Sequence, residues 1–228
     1  MKPLSLVFDL DGTLVDTAPD LAGAMNAVLL KNGRPPVPPA EVRHMVGRGA
    51  RALIERGFEV TGGPVDPAEM DAHFDHFIDH YGAHVADASV PFEDVRVVLT
   101  RLKAAGHRLG VCTNKPEALA VSLLDALELR DFFGAVLGAD TLDVKKPNPR
   151  HLSETVLRIG GDITRAVMIG DSEVDAETAR NAGVPSVIFT FGYTQFDPRT
   201  FGAAALLDGY DALETALAEI ASKLDTAA

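Results

Sequence analysis

The sequence predicts an α/β protein: a doubly wound, Rossmann-like parallel sheet with a smaller all-helical block inserted after the first strand. Three observations carry this. The apolar run Leu6-Val7-Phe8 stops abruptly at Asp9 and Asp11, which suits a strand buried on both faces of a parallel sheet. From about Val90 to the end, strand-like and helix-like segments alternate, as repeated βαβ units do. Between these, residues 16–89 carry helical patterning. The expected division is therefore a core of residues 1–15 and 90–228 and a cap of residues 16–89. Hinges are expected near Asp16 to Asp20 and Val85 to Phe92.

Within the core, Asp94 to Ala105 reads as a helix ended by Gly106. Arg108 to Cys112 is a short apolar strand, and Pro116 is suited to a first helical position. Leu119, Leu123, Leu124 and Leu127 then keep helical spacing. Ala135 to Leu137 reads as a strand, Leu152 to Ile159 as a helix and Ala166 to Ile169 as a strand. Val174 to Ala182 is a helix stopped by Gly183, Ser186 to Phe189 a strand, and Ala212 to Leu224 a closing helix. In the inserted block, Pro35-Pro36-Val37-Pro38-Pro39 is a stiff connector between helices.

Composition narrows the function classes. Of 228 residues, 46% are hydrophobic and 24% charged, ordinary for a soluble globular protein. No apolar stretch approaches the roughly 20 residues of a membrane helix, and the first apolar run reaches Asp9 too soon for a signal peptide. The single cysteine, Cys112, excludes an internal disulfide and fits a cytoplasmic location. Net charge is 21 − 33 = −12, which argues against nucleic acid and acidic membranes as partners. An anionic substrate must then be met by a local cation.

Polar groups recur at the predicted strand ends. Asp9 and Asp11 precede Gly12, which lets the backbone turn sharply. Thr113 and Asn114 follow a second strand, Lys145-Lys146-Pro147-Asn148-Pro149 a third, and Asp171 a fourth. Singly, each has a plain structural reading. Asn114 suits a helix cap, Ser172-Glu173-Val174-Asp175 a variant capping box, and the double lysine a solvated loop. Together they form one chemical set, because ligands of such sheets gather at the carboxyl ends of strands. Two adjacent acids without a local cation ask for a metal ion or a proton-transfer task.

The ordered segments DLDGTLVDT, VCTNKP, KKPNP and GDSEVD resemble the four motifs of the haloacid dehalogenase-like hydrolases. Within that superfamily DLDGTLVDTAPDLAGAMN, VGRG and VCTNKP are most similar to the bacterial phosphoglycolate phosphatases. The resemblance implies a magnesium-dependent phosphatase acting on a small phosphorylated metabolite, 2-phosphoglycolate first among them, as a monomer or homodimer. It implies Asp9 as nucleophile, forming an aspartyl-phosphate that water opens. Asp11 would protonate the leaving alcohol, deprotonate the attacking water, and lend its backbone carbonyl to Mg2+. Asp9 and Asp171 would supply metal oxygens, with Asp175 orienting a metal-bound water. Thr113, Asn114 and Lys146 would receive phosphoryl oxygens, Lys146 rather than Lys145 because the family's lysine directly precedes proline. The dehalogenases of the superfamily lack an acid two residues after the nucleophile, so Asp11 favours phosphate chemistry.

The inserted block would close over the site and carry substrate choice. Its candidate loop is Val46-Gly47-Arg48-Gly49-Ala50-Arg51-Ala52. There Gly47 and Gly49 can present backbone N–H groups to a small carboxylate and Arg48 can add charge. A relaxed dinucleotide fingerprint in this segment lacks the preceding strand it requires. His73, His76, His80 and His84 lie near one helical face beside an apolar stripe of Phe74, Phe77, Ile78 and Tyr81, and read as a solvated shoulder or partial packing. Cys112 reads as packing, and Tyr193 and Gln195 as bordering the mouth of the site. Other readings stay open: a pyrophosphatase, a β-phosphoglucomutase-like enzyme primed by a sugar bisphosphate, a phosphorylated receiver module, or a non-catalytic phosphate binder.

Overall fold

Buried apolar runs become the central strands of a six-stranded parallel sheet in the computed structural model, which describes residues 2–227. The chain begins with β1 (Ser5–Phe8), whose four residues are all buried, and β2 (Val15–Asp16). Four helices follow: α1 (Ala18–Lys31), α2 (Pro39–Val42), α3 (Ala50–Gly62) and α4 (Met70–Ala83). After β3 (Val90–Pro91), the alternation is α5 (Val95–Ala104), β4 (Arg108–Cys112), α6 (Glu117–Ala126), β5 (Ala135–Leu137), α7 (Pro149–Arg158) and β6 (Ala166–Gly170). It closes with α8 (Glu173–Ala182), β7 (Ser186–Phe189), β8 (Ala205–Leu207) and α9 (Leu213–Ala227). Sheet order is β5-β4-β1-β6-β7-β8, so the chain reverses its direction of growth at β1. That reversal opens a crevice above the ends of β1, β4 and β6.

The two-residue side-chain period of strands sorts the core into two layers. Leu6 and Phe8 of β1, Val111 of β4, and Val167 and Ile169 of β6 share one cluster with apolar residues of α5, α6 and α9. Val7, Cys112 and Met168 face the other way, onto Leu152 and Val156 of α7 and Ala179 of α8. Helices α1, α3 and α4 enclose a separate cluster around Met25, Leu29, Ile54, Phe77 and Tyr81. Among the described residues no helix is long and apolar enough to cross a membrane.

The structure adjusts several sequence-based expectations. Helix α7 starts three residues earlier than Leu152, because Asn148 caps it by accepting the Arg150 N–H at 3.0 Å and Pro149 opens its first turn. Pro116 stands one position before α6, with extended ψ of 138°. The proline-rich connector ends as a helix start, since Pro39 is the first residue of α2. Strand β8 is an addition, its half-exposed Ala-Leu-Leu pairing Leu206 with Ile188 of β7. So is the ladder formed by the two linkers of the inserted block, where β2 and β3 pair antiparallel, Val15 opposite Pro91 and Asp16 opposite Val90.

Candidate active site

Each candidate core residue sits where a buried strand ends. Asp9 follows β1, and its N–H continues the sheet to Ile169 O at 2.8 Å, which fixes the carboxylate at the crevice floor. Gly12 turns the chain with φ of +82°, and a Cβ there would stand 2.6 Å from Asp171 Oδ2. The bare backbone therefore lets this loop close on β6. Asp171 follows β6 and accepts hydrogen bonds from Thr13 Oγ1 at 2.8 Å and the Tyr193 N–H at 2.7 Å. Asp175 lies on the first turn of α8. Its Oδ2 accepts from Ser172 Oγ at 2.6 Å and the Ser172 N–H at 3.1 Å, while its Oδ1 takes Lys146 Nζ at 2.6 Å. The capping role read for this segment and a place in the carboxylate cluster thus coexist in one residue.

Lys146 is the hub. Its buried ammonium lies 2.8 Å from Asp9 Oδ1 and 2.6 Å from Asp175 Oδ1. Oxygens of Asp9, Asp171 and Asp175 lie within 4.8 Å of one another, all three residues buried. Burial pushes the Asp9 carboxyl up to about 7, with the Lys146 charge opposing and the Asp175 charge reinforcing the rise. Burial, then the charges of Asp175 and Asp9, hold Asp171 well above the usual carboxylate range. For Lys146 burial acts downward, but the charges of Asp175 and Asp9 outweigh it and raise its pKa.

Three buried carboxyl groups facing one ammonium cannot all ionise without a further cation. Asp9 Oδ1 also lacks an aligned hydrogen-bond donor despite the nearby ammonium. An all-oxygen donor set with an uncompensated deficit fits a hard divalent cation.

A second, partly buried ion pair adjoins the first. Lys115 Nζ lies 2.8 Å from Asp11 Oδ1, and Asp11 Oδ1 also accepts Thr17 Oγ1 at 2.6 Å. The same ammonium stands 4.4 Å above the Tyr81 ring of α4. Sequence reasoning passes over Lys115; its only signal is a lysine directly after Thr113-Asn114 at a strand end. Thr113 is buried, its Oγ1 accepting the Lys115 N–H at 3.2 Å. Asn114 donates from Nδ2 to Lys146 O at 3.2 Å and to Gly47 O at 3.3 Å, tying the core to the inserted block.

Asp9, Asp11, Thr113, Asn114 and Lys115 form the floor of a small pocket that opens to solvent at its mouth. Its roof comes from the inserted block: Gly47, Gly49, Leu53 and Phe77 among others. Gly47 and Gly49 have φ of +116° and +95°, conformations that suit glycine. Arg48 is not brought to this pocket. Its side chain is 67% exposed and pairs with Glu173 at 3.3 Å on the outer surface. Two glycines in left-handed conformations turn the loop backbone inward and the intervening side chain out.

The remaining flagged residues are structural in their contacts. Tyr193 is buried; its hydroxyl accepts the N–H groups of Thr17 at 2.7 Å and Ala18 at 3.0 Å and donates to Asp16 Oδ1 at 2.7 Å. It pins the first linker, while Gln195 reaches across to His44 O. His73 stacks on Phe58, His80 and His84 lie ring to ring, and His84 pairs with Asp87. Among the described residues the histidines join no cluster with metal-ligand spacing.

A model of the haloacid dehalogenase-like hydrolase family matches residues 6–189. The chain belongs to the haloacid dehalogenase-like hydrolases. It is 53% identical over 206 residues to a phosphoglycolate phosphatase from Caulobacter vibrioides, covering 90% of this chain and 87% of that one. A phosphoglycolate phosphatase from Mesorhizobium japonicum is 44% identical, with 94% of each chain covered. Among solved structures, a predicted phosphoglycolate phosphatase from Haemophilus somnus superimposes with a TM-score of 0.87 at 27% identity, covering 94% and 98%. CbbY from Rhodobacter sphaeroides, solved with phosphate, shares the fold with a TM-score of 0.80 at 23% identity, covering 95% of this chain and 99% of that one. The inserted helical block is thus the cap of a family hydrolase.

Proposed function

We propose that this hydrolase is a magnesium-dependent phosphatase that cleaves 2-phosphoglycolate to glycolate and phosphate through an aspartyl-phosphate on Asp9. The carrying observation is the buried Asp9 carboxylate at the pocket floor, held 2.8 Å from Lys146 and within 4.8 Å of oxygens of Asp171 and Asp175. Relatives named phosphoglycolate phosphatase at 53% and 44% identity support the substrate.

An Asp9 oxygen attacks phosphorus as the bond to the ester oxygen breaks. Asp11, on the same pocket floor, gives its proton to the departing glycolate oxygen and then takes one from the water that opens the aspartyl-phosphate. Lys146, the Thr113 hydroxyl and the Asn114 N–H receive the equatorial oxygens, where charge spreads as the phosphoryl group transfers. Asp9, Asp171 and the Asp11 backbone carbonyl would hold Mg2+, which supplies Lewis-acid neutralisation of phosphoryl charge. Asp175 orients rather than ligates: both its oxygens are already engaged, by Lys146 and by Ser172. The cap roof keeps bulk water out while the phosphoryl group passes to Asp9.

The test is phosphate release from a panel of 2-phosphoglycolate, pyrophosphate and hexose phosphates, with Mg2+ or with chelator, and with Asp9→Asn as control. Mg2+-dependent turnover of 2-phosphoglycolate, lost in the variant, is the expected result. Preference for another ester discards the substrate, and no release from any ester discards the phosphatase.

A further inference from the structure

We propose that Lys115, with the Tyr81 hydroxyl, is the receptor for a second negative charge on the substrate: a carboxylate one or two carbons from the phosphoester. This deepens the phosphatase reading and rests on it. A small phosphorylated acid brings two anionic groups into a pocket whose floor already carries Asp9 and Asp11, inside a protein of net charge −12. Lys146 already faces Asp9 and Asp175, which commits it to the phosphoryl end. Arg48 points to the outer surface. Among the described residues lining the pocket, Lys115 is the one cationic side chain.

Two independent features equip this corner for an anion. Tyr81 lines the same pocket, and its buried hydroxyl makes no hydrogen bond of good geometry, its one polar neighbour being the Lys115 ammonium 4.4 Å from the ring centre. A buried hydroxyl without a partner is costly unless a ligand supplies one. Opposite it, the 13-residue helix α3 begins at Ala50, behind Gly49 and with no side-chain cap, so its first N–H groups are free to donate. In the structure the ammonium rests on Asp11 Oδ1 at 2.8 Å. The lysine stem pivots easily, and Asp11 keeps its 2.6 Å hydrogen bond from Thr17 Oγ1 when the lysine turns to a substrate carboxylate. Substrate choice is therefore read by a loop residue of the core, just past β4, and the cap supplies the hydroxyl and backbone donors around it.

The experiment compares kcat/KM for acid and neutral members of matched pairs, 2-phosphoglycolate with 2-hydroxyethyl phosphate and 3-phosphoglycerate with glycerol 3-phosphate, in wild type, Lys115→Met and Lys115→Arg. Wild type is expected to prefer the acid of at least one pair. Lys115→Met should reduce that preference by about 10- to 100-fold, mostly through KM, the loss of one charge-assisted contact. Lys115→Arg, which keeps the charge, should retain part of it and stands as the decisive variant if the methionine protein does not fold. Equal losses on acid and neutral esters, preference kept in Lys115→Met, preference lost as fully in Lys115→Arg, or no acid preference in wild type would each overturn the proposal. Wild type that rejects 2-phosphoglycolate but prefers 3-phosphoglycerate through Lys115 would refute the proposed substrate and leave the receptor standing.

Discussion

Removing the divalent cation should make the protein lose stability as pH rises, and Asp9 sets the size of the effect. Burial raises the Asp9 carboxyl from 3.8 to about 7, against the opposing pull of Lys146. An acid protonated more readily in the fold than in the unfolded chain stabilises the fold fully below its unfolded pKa. That contribution is lost as pH climbs through about 7. Each tenfold change in acidity corresponds to about 1.4 kcal/mol, so the displacement sets an upper bound of about 4 kcal/mol between pH 4 and 8. A bound cation favours the ionised form and should remove the loss. Urea unfolding in EDTA and in Mg2+, from pH 5 to 8.5, reads both curves, and Asp9→Asn removes the titrating group. Over that range the metal-free wild type should fall relative to Asp9→Asn by up to about 3 kcal/mol, since part of the bound lies below pH 5, and the Mg2+-minus-EDTA gap should widen with pH. A gap that is flat with pH, or a metal-free wild type that gains stability relative to Asp9→Asn above pH 6, would refute the reasoning.

Other outcomes follow from single contacts. Asp9→Asn should lower the rate of phosphate release by about 10⁴-fold or more, read in single-turnover assays. Lys146→Met leaves Asp9 and Asp175 without their shared buried cation, and should cost about 3–5 kcal/mol in urea unfolding besides activity. Gly12→Ala places a methyl 2.6 Å from Asp171 Oδ2 at φ of +82°, so the Mg2+ concentration for half-maximal activity should rise at least about tenfold. Cys112 is buried with its thiol pushed up to about 12 by burial; it should stay unreactive to a thiol reagent in the native protein and react once urea unfolds the chain.

The parallel sheet was legible because its strands are buried on both faces, which leaves continuous apolar runs such as Leu6 to Phe8 in the sequence. Strand β8 escaped because Ala205 to Leu207 sits at a half-exposed edge, where three residues leave no pattern to count. The ladder of β2 and β3 escaped for a related reason: its partners are separated by the whole cap, and only the tertiary fold brings them together. Asp9, Asp171 and Lys146 could be placed together because each follows a strand of one sheet. Lys115 and Arg48 show where that logic ends. Both are basic residues beside expected site positions, yet one turns inward to Asp11 and Tyr81 and the other outward to Glu173. Side-chain direction in a loop depends on local backbone φ and on neighbours from distant segments, neither of which periodicity encodes.

The pairing of β2 with β3 has a consequence for how such a protein changes over generations. Val15 faces Pro91 and Asp16 faces Val90, so the two ends of the inserted block leave the sheet side by side. An insertion whose ends are adjacent demands almost no loop-closure entropy from its host. The block is in this sense a cassette: lengthening, shortening or exchanging it disturbs neither the register of β1 with β4 and β6 nor the spacing of the carboxylates above them. New roofs can be tried over a reaction centre that stays fixed, while a residue on a loop of the host core that meets the roof, as Lys115 meets Tyr81, constrains which roofs succeed.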